Sequence, residues 1–315
     1  MSIAKSIGSA NCCFSYLKLV LLSYYANKHV YFGVYVIAIA MQYNPKQVAA
    51  FYDTYSEKEW HRLTKDPAAL VSFYIHQHYL QKYVRARDLV LELGAGAGRF
   101  TIELAKLGAS SAGGDISAEQ LRLNQKYVGK YKYEAAIASR LQLDIIDLSI
   151  FEANTFDTIV CYGGALSYVL DEANTALTQM RRVLKPEGHL LVSVMSLIGT
   201  TQKFFESVTE EPDFTQLVYQ VNQNGLLDRS ESDKNSLKMY RAKELRQLLE
   251  ARQFTVMAMS ASNYLSLNRN KFLEQKMQNT NAWSDFLNWE LDFCGSDGCL
   301  DGGTHIIAVA KNGRK

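Results

Sequence analysis

From Asn44 to Tyr83, polar and aromatic residues interleave at helical spacing, with Asn44-Pro45 as a start signal and Asp66-Pro67 as a break and restart. Beyond Asp88 the pattern changes to short apolar runs alternating with amphipathic stretches. Strands are predicted at 89–93, 111–115, 141–143, 156–162 and 188–195. Helices are predicted between them at 99–107, ended by Gly108, at 118–130, begun by Ser117, and at 172–184, stopped by Lys185-Pro186. This alternation argues for an α/β fold, a parallel sheet with helices on both faces. Residues 197–240 break the rhythm: they are polar, carry Glu210-Glu211-Pro212 and read as a helical insertion. A helix at 241–252 and strands at 254–260 and 305–310 follow. Between those strands lies a long aromatic stretch (Tyr264, Phe272, Trp283, Phe286, Trp289, Phe293) to which the pattern assigns no element.

Residues 1–40 read differently. Leu17 to Leu22 and Val30 to Met41 are apolar, with Asn27, Lys28 and His29 between them. Neither run reaches the roughly 20 residues of a spanning helix, and joining them buries Lys28 near the middle. Ala38-Ile39-Ala40 resembles a cleavage site, but far from a clean basic region. Three readings stay open: a membrane-associated leader, a targeting peptide, and upstream sequence preceding a start at Met41. The last is preferred, and the domains are then 1–40 as leader, 41–84 as an N-terminal helical cap and 85–315 as the main domain with its insertion at about 197–240. Membrane contact is expected only if the leader is real.

Composition narrows the function classes. The 315 residues carry 34 Lys and Arg against 32 Asp and Glu. The leader holds Lys5, Lys18 and Lys28 and no acid, which leaves the remainder 31 basic against 32 acidic. A dominant basic field for nucleic acid is therefore absent. Four prolines rule out Pro-rich disordered classes. Setting Cys12 and Cys13 aside, Cys161, Cys294 and Cys299 have no framework spacing and read as reduced thiols of a cytoplasmic protein.

The strongest chemical signal is Leu91-Glu92-Leu93-Gly94-Ala95-Gly96-Ala97-Gly98-Arg99, at a strand-to-helix turn. Glycines at alternate positions let the backbone turn tightly and approach a ligand. Asp115 closes the next strand, where a carboxylate can accept both hydroxyls of a ribose. The dinucleotide fingerprint would put its third glycine at position 99, which is Arg99. The run E-x-G-x-G-x-G instead resembles that of the class I S-adenosylmethionine-dependent methyltransferases of the small-molecule type. Asp144 in Leu141-Gln-Leu-Asp-Ile, the segment Phe156-Asp157-Thr-Ile-Val-Cys-Tyr162, and Met180-Arg-Arg-Val-Leu-Lys-Pro-Glu-Gly are similar to later motifs of that family, in order. Glu187 stands where the family has a glycine. The resemblance is close over about residues 85–196.

It implies a Rossmann-like seven-stranded sheet of order 3-2-1-4-5-7-6 with the last strand antiparallel, and S-adenosyl-L-methionine as cofactor. It also implies roles. Gly94, Ala95, Gly96 and Gly98 form the loop at the methionine part, and Glu92 orders that loop or reaches the cofactor amine through water. Asp115 takes the ribose with Ile116 against the adenine, Asp144 and Ile145 hold the adenine edge, and Tyr162 offers a carbonyl near the sulfonium. Tyr52, Tyr55 and Trp60 belong to the substrate cap. If the acceptor needs a base, His61 and Tyr162 are the first candidates, beside Tyr52, Tyr55 and Tyr168. His305 reads as structural, and so does Asp147. His76 and His78 fall on different helix faces, so no metal pair is expected. The partner expected is a small-molecule acceptor. No DNA is expected, because the fourth-strand motif lacks the pattern of amino-directed nucleic-acid enzymes. Two alternatives remain: a non-catalytic binder that keeps the fold, and an NAD(P)-dependent oxidoreductase.

Overall fold

A computed structural model describes residues 17–26, 29–38, 41–210, 214–229 and 234–313. They divide into two units, one up to Gln42 and one from Tyr43 onward. In the first, β1 (Leu17–Ala26) and β2 (His29–Ala38) pair antiparallel, with Leu17 opposite Ala38 and Ala26 opposite His29. The two apolar runs are strands there, an arrangement the sequence reading did not weigh. Cys12, Cys13 and Lys28 lie outside the described residues. No helix among the described residues is long and apolar enough to cross a membrane.

The second unit opens with three helices, α1 (Pro45–Tyr55), α2 (Lys58–Arg62) and α3 (Pro67–Tyr83). The start signals act as read. Asn44 and Asp66 accept the backbone N–H of Gln47 and Ala69 at 3.2 and 2.8 Å, with proline at the first helical position of each. Then come β3 (Leu89–Leu93), α4 (Arg99–Lys106), β4 (Ser110–Asp115), α5 (Ala118–Lys130), β5 (Ile137–Gln142), β6 (Phe156–Cys161), α6 (Ala165–Tyr168), α7 (Ala173–Val183) and β7 (Leu184–Met195). The insertion holds α8 (Leu197–Thr209), α9 (Phe214–Asn224) and a small ladder of β8 (Leu226–Leu227) with β9 (Leu237–Lys238). The chain closes with α10 (Ala242–Ala251), β10 (Phe254–Ala261), α11 (Asn270–Met277), α12 (Thr280–Cys294) and β11 (His305–Asn312).

The main sheet runs β5-β4-β3-β6-β7-β11-β10, with β11 antiparallel to both neighbours and the other pairs parallel. Numbered by sheet strand, this is the expected 3-2-1-4-5-7-6. Strand periodicity divides the core. Leu91, Ile159, Leu190 and Val192 face α7 and α10 on one side, and Val90, Val160, Leu191 and Ile307 face α3 and α4 on the other.

Three readings change. The edge strand β5 begins at Ile137, four residues before the predicted start, since its partly exposed Ser139 and Arg140 hide it from an apolar count. The aromatic stretch 264–293 contains α11 and α12. There Glu290, fully buried, accepts from the backbone N–H of Tyr264, Leu265 and Ser266 and from the Ser266 hydroxyl. Glu187 adopts a left-handed φ of +69°, the conformation its glycine counterpart would take freely, and its carboxylate pairs with Lys311. The described cysteines, Cys161, Cys294 and Cys299, are unpaired.

Candidate functional site

The site starts where β3 ends. Gly94, Gly96 and Gly98 take φ values of +69°, +50° and +95°, so the turn needs residues without a Cβ. A side chain at Gly94 would also meet the Ala165 Cβ at 3.0 Å, and one at Gly98 would meet Asn124 at 3.2 Å. The loop is pinned from β4. The N–H groups of Gly94 and Ala95 both donate to the Gly114 carbonyl, at 2.9 and 3.1 Å. Gly96 N–H donates to Asp115 Oδ2 at 2.8 Å, and Ser117 N–H to Asp115 Oδ1 at 2.9 Å. Burial pushes the Asp115 carboxyl up to about 6 against the pull of those two amides.

Over this loop lies a cleft of about 840 Å³, mouth included, lined by Gly94, Ala95, Gly96, Asp115, Ile116, Asp144, Ile145 and Tyr162 among others. Eight of the ten residues expected at the cofactor are thus brought together. Tyr43, which the sequence reading did not single out, donates from its hydroxyl to Asp144 Oδ2 at 2.9 Å. Burial holds the Asp144 carboxyl above its ordinary range. The backbone carbonyl of Tyr162 faces the loop, 3.9 Å from where a Cβ on Gly94 would stand. Its hydroxyl points elsewhere, buried without a partner in a packing of Phe100 and His76 rings.

A second chamber of about 1,120 Å³, also counted with its mouth, adjoins the first. Tyr52, Glu59, Arg62, Leu63, Gly163 and Tyr168 line both. Arg62 donates to both oxygens of Glu59, from Nε at 2.8 and 3.0 Å and from Nη2 at 2.7 Å. This pair sits on the wall between the two spaces, against Gly96 on one side and Gly163 on the other. Tyr52 and Tyr168 meet edge to face, with ring centres 5.9 Å apart. Tyr55, Lys203, Phe204 and His305 belong to the second chamber alone.

Five expected residues stand apart from the cleft. Glu92 lies behind the loop: its Oε2 accepts the Thr101 hydroxyl at 2.6 Å, and Thr101 in turn accepts from Asn124 at 2.8 Å. Burial pushes its carboxyl up to about 8. Its place fits ordering of the turn and not contact with a ligand. Gly98 starts α4 and lets it approach α5 closely. Trp60 is buried, stacked on Tyr127 at 3.8 Å with the Arg99 guanidinium 3.7 Å from its ring centre. Tyr55 lines only the neighbouring chamber. His61 is exposed and lines neither space, so it is not placed to serve as a base. The Tyr162 side chain, paired with nothing, is likewise not arranged as one.

The reading missed Glu59 as a lining residue, and Arg62 altogether. The signal was available, because an acid and an arginine three apart on a helix lie side by side. Asp147, read as structural, accepts from Ser149 N–H at 2.9 Å at the surface. Among the described residues no group of three His, Cys, Asp or Glu could hold a metal ion.

Comparison with known proteins agrees with this geometry. A family model described as a methyltransferase domain matches residues 91–192. Demethylmenaquinone methyltransferase of Streptomyces avermitilis is 27% identical over 154 residues, 48% of this chain and 62% of that protein. A ubiquinone/menaquinone biosynthesis C-methyltransferase of a Marinomonas species is 36% identical over 121 residues, 36% of this chain and 44% of that one. The chain thus spans less than two thirds of the length of these relatives. A Burkholderia thailandensis 1,6-didemethyltoxoflavin-N1-methyltransferase, solved with its methyl acceptor and S-adenosylhomocysteine, shares the fold at a TM-score of 0.52. That match has 16% identity and covers 93% of this chain and 99% of that one. The [4+2]-cyclase SpnF shares it at 0.56 with 15% identity, over 88% and 99% of the two chains. Residues 91–192 thus match a methyltransferase-domain model, and the sheet order is that of the fold these solved structures share.

Proposed function

We propose that the chain transfers a methyl group from S-adenosylmethionine to a small organic acceptor. The observation that carries this is the pair of adjoining cavities. One is built on the glycine loop, the buried Asp115 and the half-buried Asp144, the other under the cap, and Gly163 and Tyr168 line both at the end of β6. The residues fit the cofactor. A side chain at Gly94 would press on Ala165, and one at Gly96 would be strained by its left-handed φ. Asp115 keeps lone pairs for a diol after accepting two backbone amides, and Ile116, Leu143 and Ile145 offer apolar faces beside the Asp144 edge. Bound there, the cofactor supplies an electrophilic methyl on a sulfonium, so the chemistry is a single displacement that rewards alignment and exclusion of water.

The chain's own residues supply both. Arg99 donates to the Trp60 carbonyl at 2.8 Å and to the Thr64 hydroxyl at 3.0 Å, clamping the cap onto the helix that follows the loop. The Glu59–Arg62 pair and the Tyr52–Tyr168 pair close the wall between the spaces. Residues 41–84 act as cap and 197–240 as a contributor to the acceptor side, through Thr200, Lys203 and Phe204. Concave, aromatic walls suit a small molecule. Arg99 occupies the position where a dinucleotide fold needs its third glycine, which disfavours NAD(P).

Calorimetric titration of the full chain with S-adenosylmethionine, S-adenosylhomocysteine and NAD tests the reading. Binding of the first two alone is expected. Binding of NAD, or of none by a folded sample, overturns it. Binding without methyl transfer to any acceptor in a labelled-methyl screen would favour a binder that keeps the cofactor.

A further inference from the structure

His305 was read from the sequence as structural, and the second chamber gives it another role. It opens β11, and its ring forms part of the chamber wall. The Nε2 edge is turned toward the Gly163–Gly164 turn, 3.6 Å from where a Cβ on Gly164 would stand. Gly163, the neighbour in that turn, also lines the cofactor cleft. The imidazole therefore stands behind the point where the two spaces adjoin, and Nε2 has no hydrogen-bond partner among the described residues.

The other ring nitrogen is committed. Nδ1 lies 3.3 Å from the Thr304 hydroxyl. That hydroxyl has one proton, and Asn263 Oδ1 receives it at 3.2 Å; the Ser262 hydroxyl, 3.4 Å from it, is closer to the same Asn263 oxygen. The orientation of the Asn263 amide is fixed independently, because the Thr304 backbone N–H also donates to Oδ1 at 2.9 Å and the Ser262 hydroxyl donates to it at 3.0 Å. Only an oxygen can accept all three. With its proton spent on Asn263, Thr304 offers His305 a lone pair. The proton of the neutral imidazole is then drawn to Nδ1, leaving a bare lone pair at Nε2, the edge that faces the Gly163–Gly164 turn.

We propose that Nε2 of His305 takes the proton released by the methyl acceptor, and that the acceptor is of the class that must lose one: a planar molecule methylated at a hydroxyl or an N–H. This rests on the methyltransferase reading. The step balances. A bond forms between the acceptor atom and the methyl carbon, the bond from carbon to sulfur breaks with its pair staying on sulfur, and the acceptor's proton moves to Nε2. Aromatic residues on the same wall, among them Phe51, Tyr52, Tyr168 and Phe204, suit a flat substrate.

The surroundings set the timing. Arg62 from α2 and His76 from α3 face the ring, and Glu59, Lys65, Asp66, Tyr168 and Lys203 share the chamber. Burial and the Arg62 charge push the His305 imidazolium down to about 3, so the base is always neutral and always weak. Such a base does not ionise a hydroxyl ahead of the transfer. It suffices as the new bond forms, because the partly alkylated hydroxyl or amine becomes strongly acidic.

The test is nuclear magnetic resonance of the full chain labelled with 15N-histidine, assigned with H305Q. The expected spectrum has the proton of His305 on Nδ1, a bare-nitrogen shift at Nε2, and no titration between about pH 5 and 8. In T304V, which keeps the shape and removes the acceptor of that proton, the ring is expected to shift toward the Nε2–H form. A proton on Nε2 in the unmodified protein overturns the proposal, because a donor cannot take the acceptor's proton. Diethyl pyrocarbonate, which acylates bare imidazole nitrogens, is expected to label His305 as well as exposed His61. Labelling of His61 with His305 untouched overturns its access to the chamber. S-adenosylhomocysteine titrated into the same sample reports the methyltransferase reading separately: its binding alongside a protonated Nε2 sinks this inference alone.

Discussion

The two cavities are built in opposite ways. The floor of the cofactor cleft is backbone: a glycine turn pinned by carbonyl and carboxylate acceptors from the next strand, at the C-terminal edge of the sheet. The adjoining chamber is made of side chains reaching in from α1, α2, α3, α6, α8 and β11 and from the loops beside them. A backbone site tolerates little change, since its geometry depends on residues that lack a Cβ or accept several amides at once. A side-chain site can be rebuilt one residue at a time. One fold can hold a cofactor fixed while its second space changes.

The largest expected effect tests whether the cap is a true part of the domain. Trp60→Ala removes the stack on Tyr127 and the seat of Arg99, at a cost of about 3 kcal/mol in stability, the scale of a buried aromatic truncation. Denaturant unfolding reads it, and a loss near zero would mean the cap is merely laid on. Next comes Asp115→Ala, which removes a charged acceptor and the anchor of Gly96. S-adenosylhomocysteine affinity should fall by about 2–3 kcal/mol, or on the order of a hundredfold. An unchanged affinity would move the cofactor off this carboxylate.

A smaller effect follows from the Asp115 carboxyl standing at about 6 in the free protein. A diol prefers the ionised acceptor, so binding favours the form present above that pH. Affinity should fall about tenfold as pH drops from about 7.5 to 5. In Asp115→Asn that slope should vanish, whereas a slope surviving in the variant would assign it to another group. The smallest is His61→Ala, exposed and off both cavities, with an expected change within about 0.5 kcal/mol in stability and none in cofactor affinity. A marked loss of affinity there would overturn the placement of the cap.

The same contrast explains what could be read in advance. The glycine turn and Asp115 were legible because backbone requirements leave fixed residue types at fixed spacings, and Asp144 through the family resemblance. Strands β3 and β6 were legible because both their faces are covered and they read as apolar runs. Helices α11 and α12 were not. Phe286 is buried while Trp289 and Phe293 are exposed, so the aromatics trace no clean stripe, and the fully buried Glu290 serves amides more than twenty residues away. Arg62 was missed, and His305 was read as structural, for a related reason. The spacing of Glu59 and Arg62 announces their pairing but not the place of Arg62 against Gly163, and no local spacing announces that Asn263 stands beside Thr304 and His305.

The wall formed by Glu59 and Arg62 constrains how this chain could be re-engineered. A graft that exchanged α1 and α2 to admit a new acceptor would remove Tyr52, Glu59 and Arg62 from the cofactor's side as well, and selection for the new substrate would select against nucleoside affinity at the same time. Variation at Thr200, Lys203 and Phe204 carries no such penalty, for those residues do not line the cofactor cleft. Libraries confined to α8 should therefore yield altered selectivity at constant cofactor occupancy, while cap chimeras need compensating changes in the loop they abut.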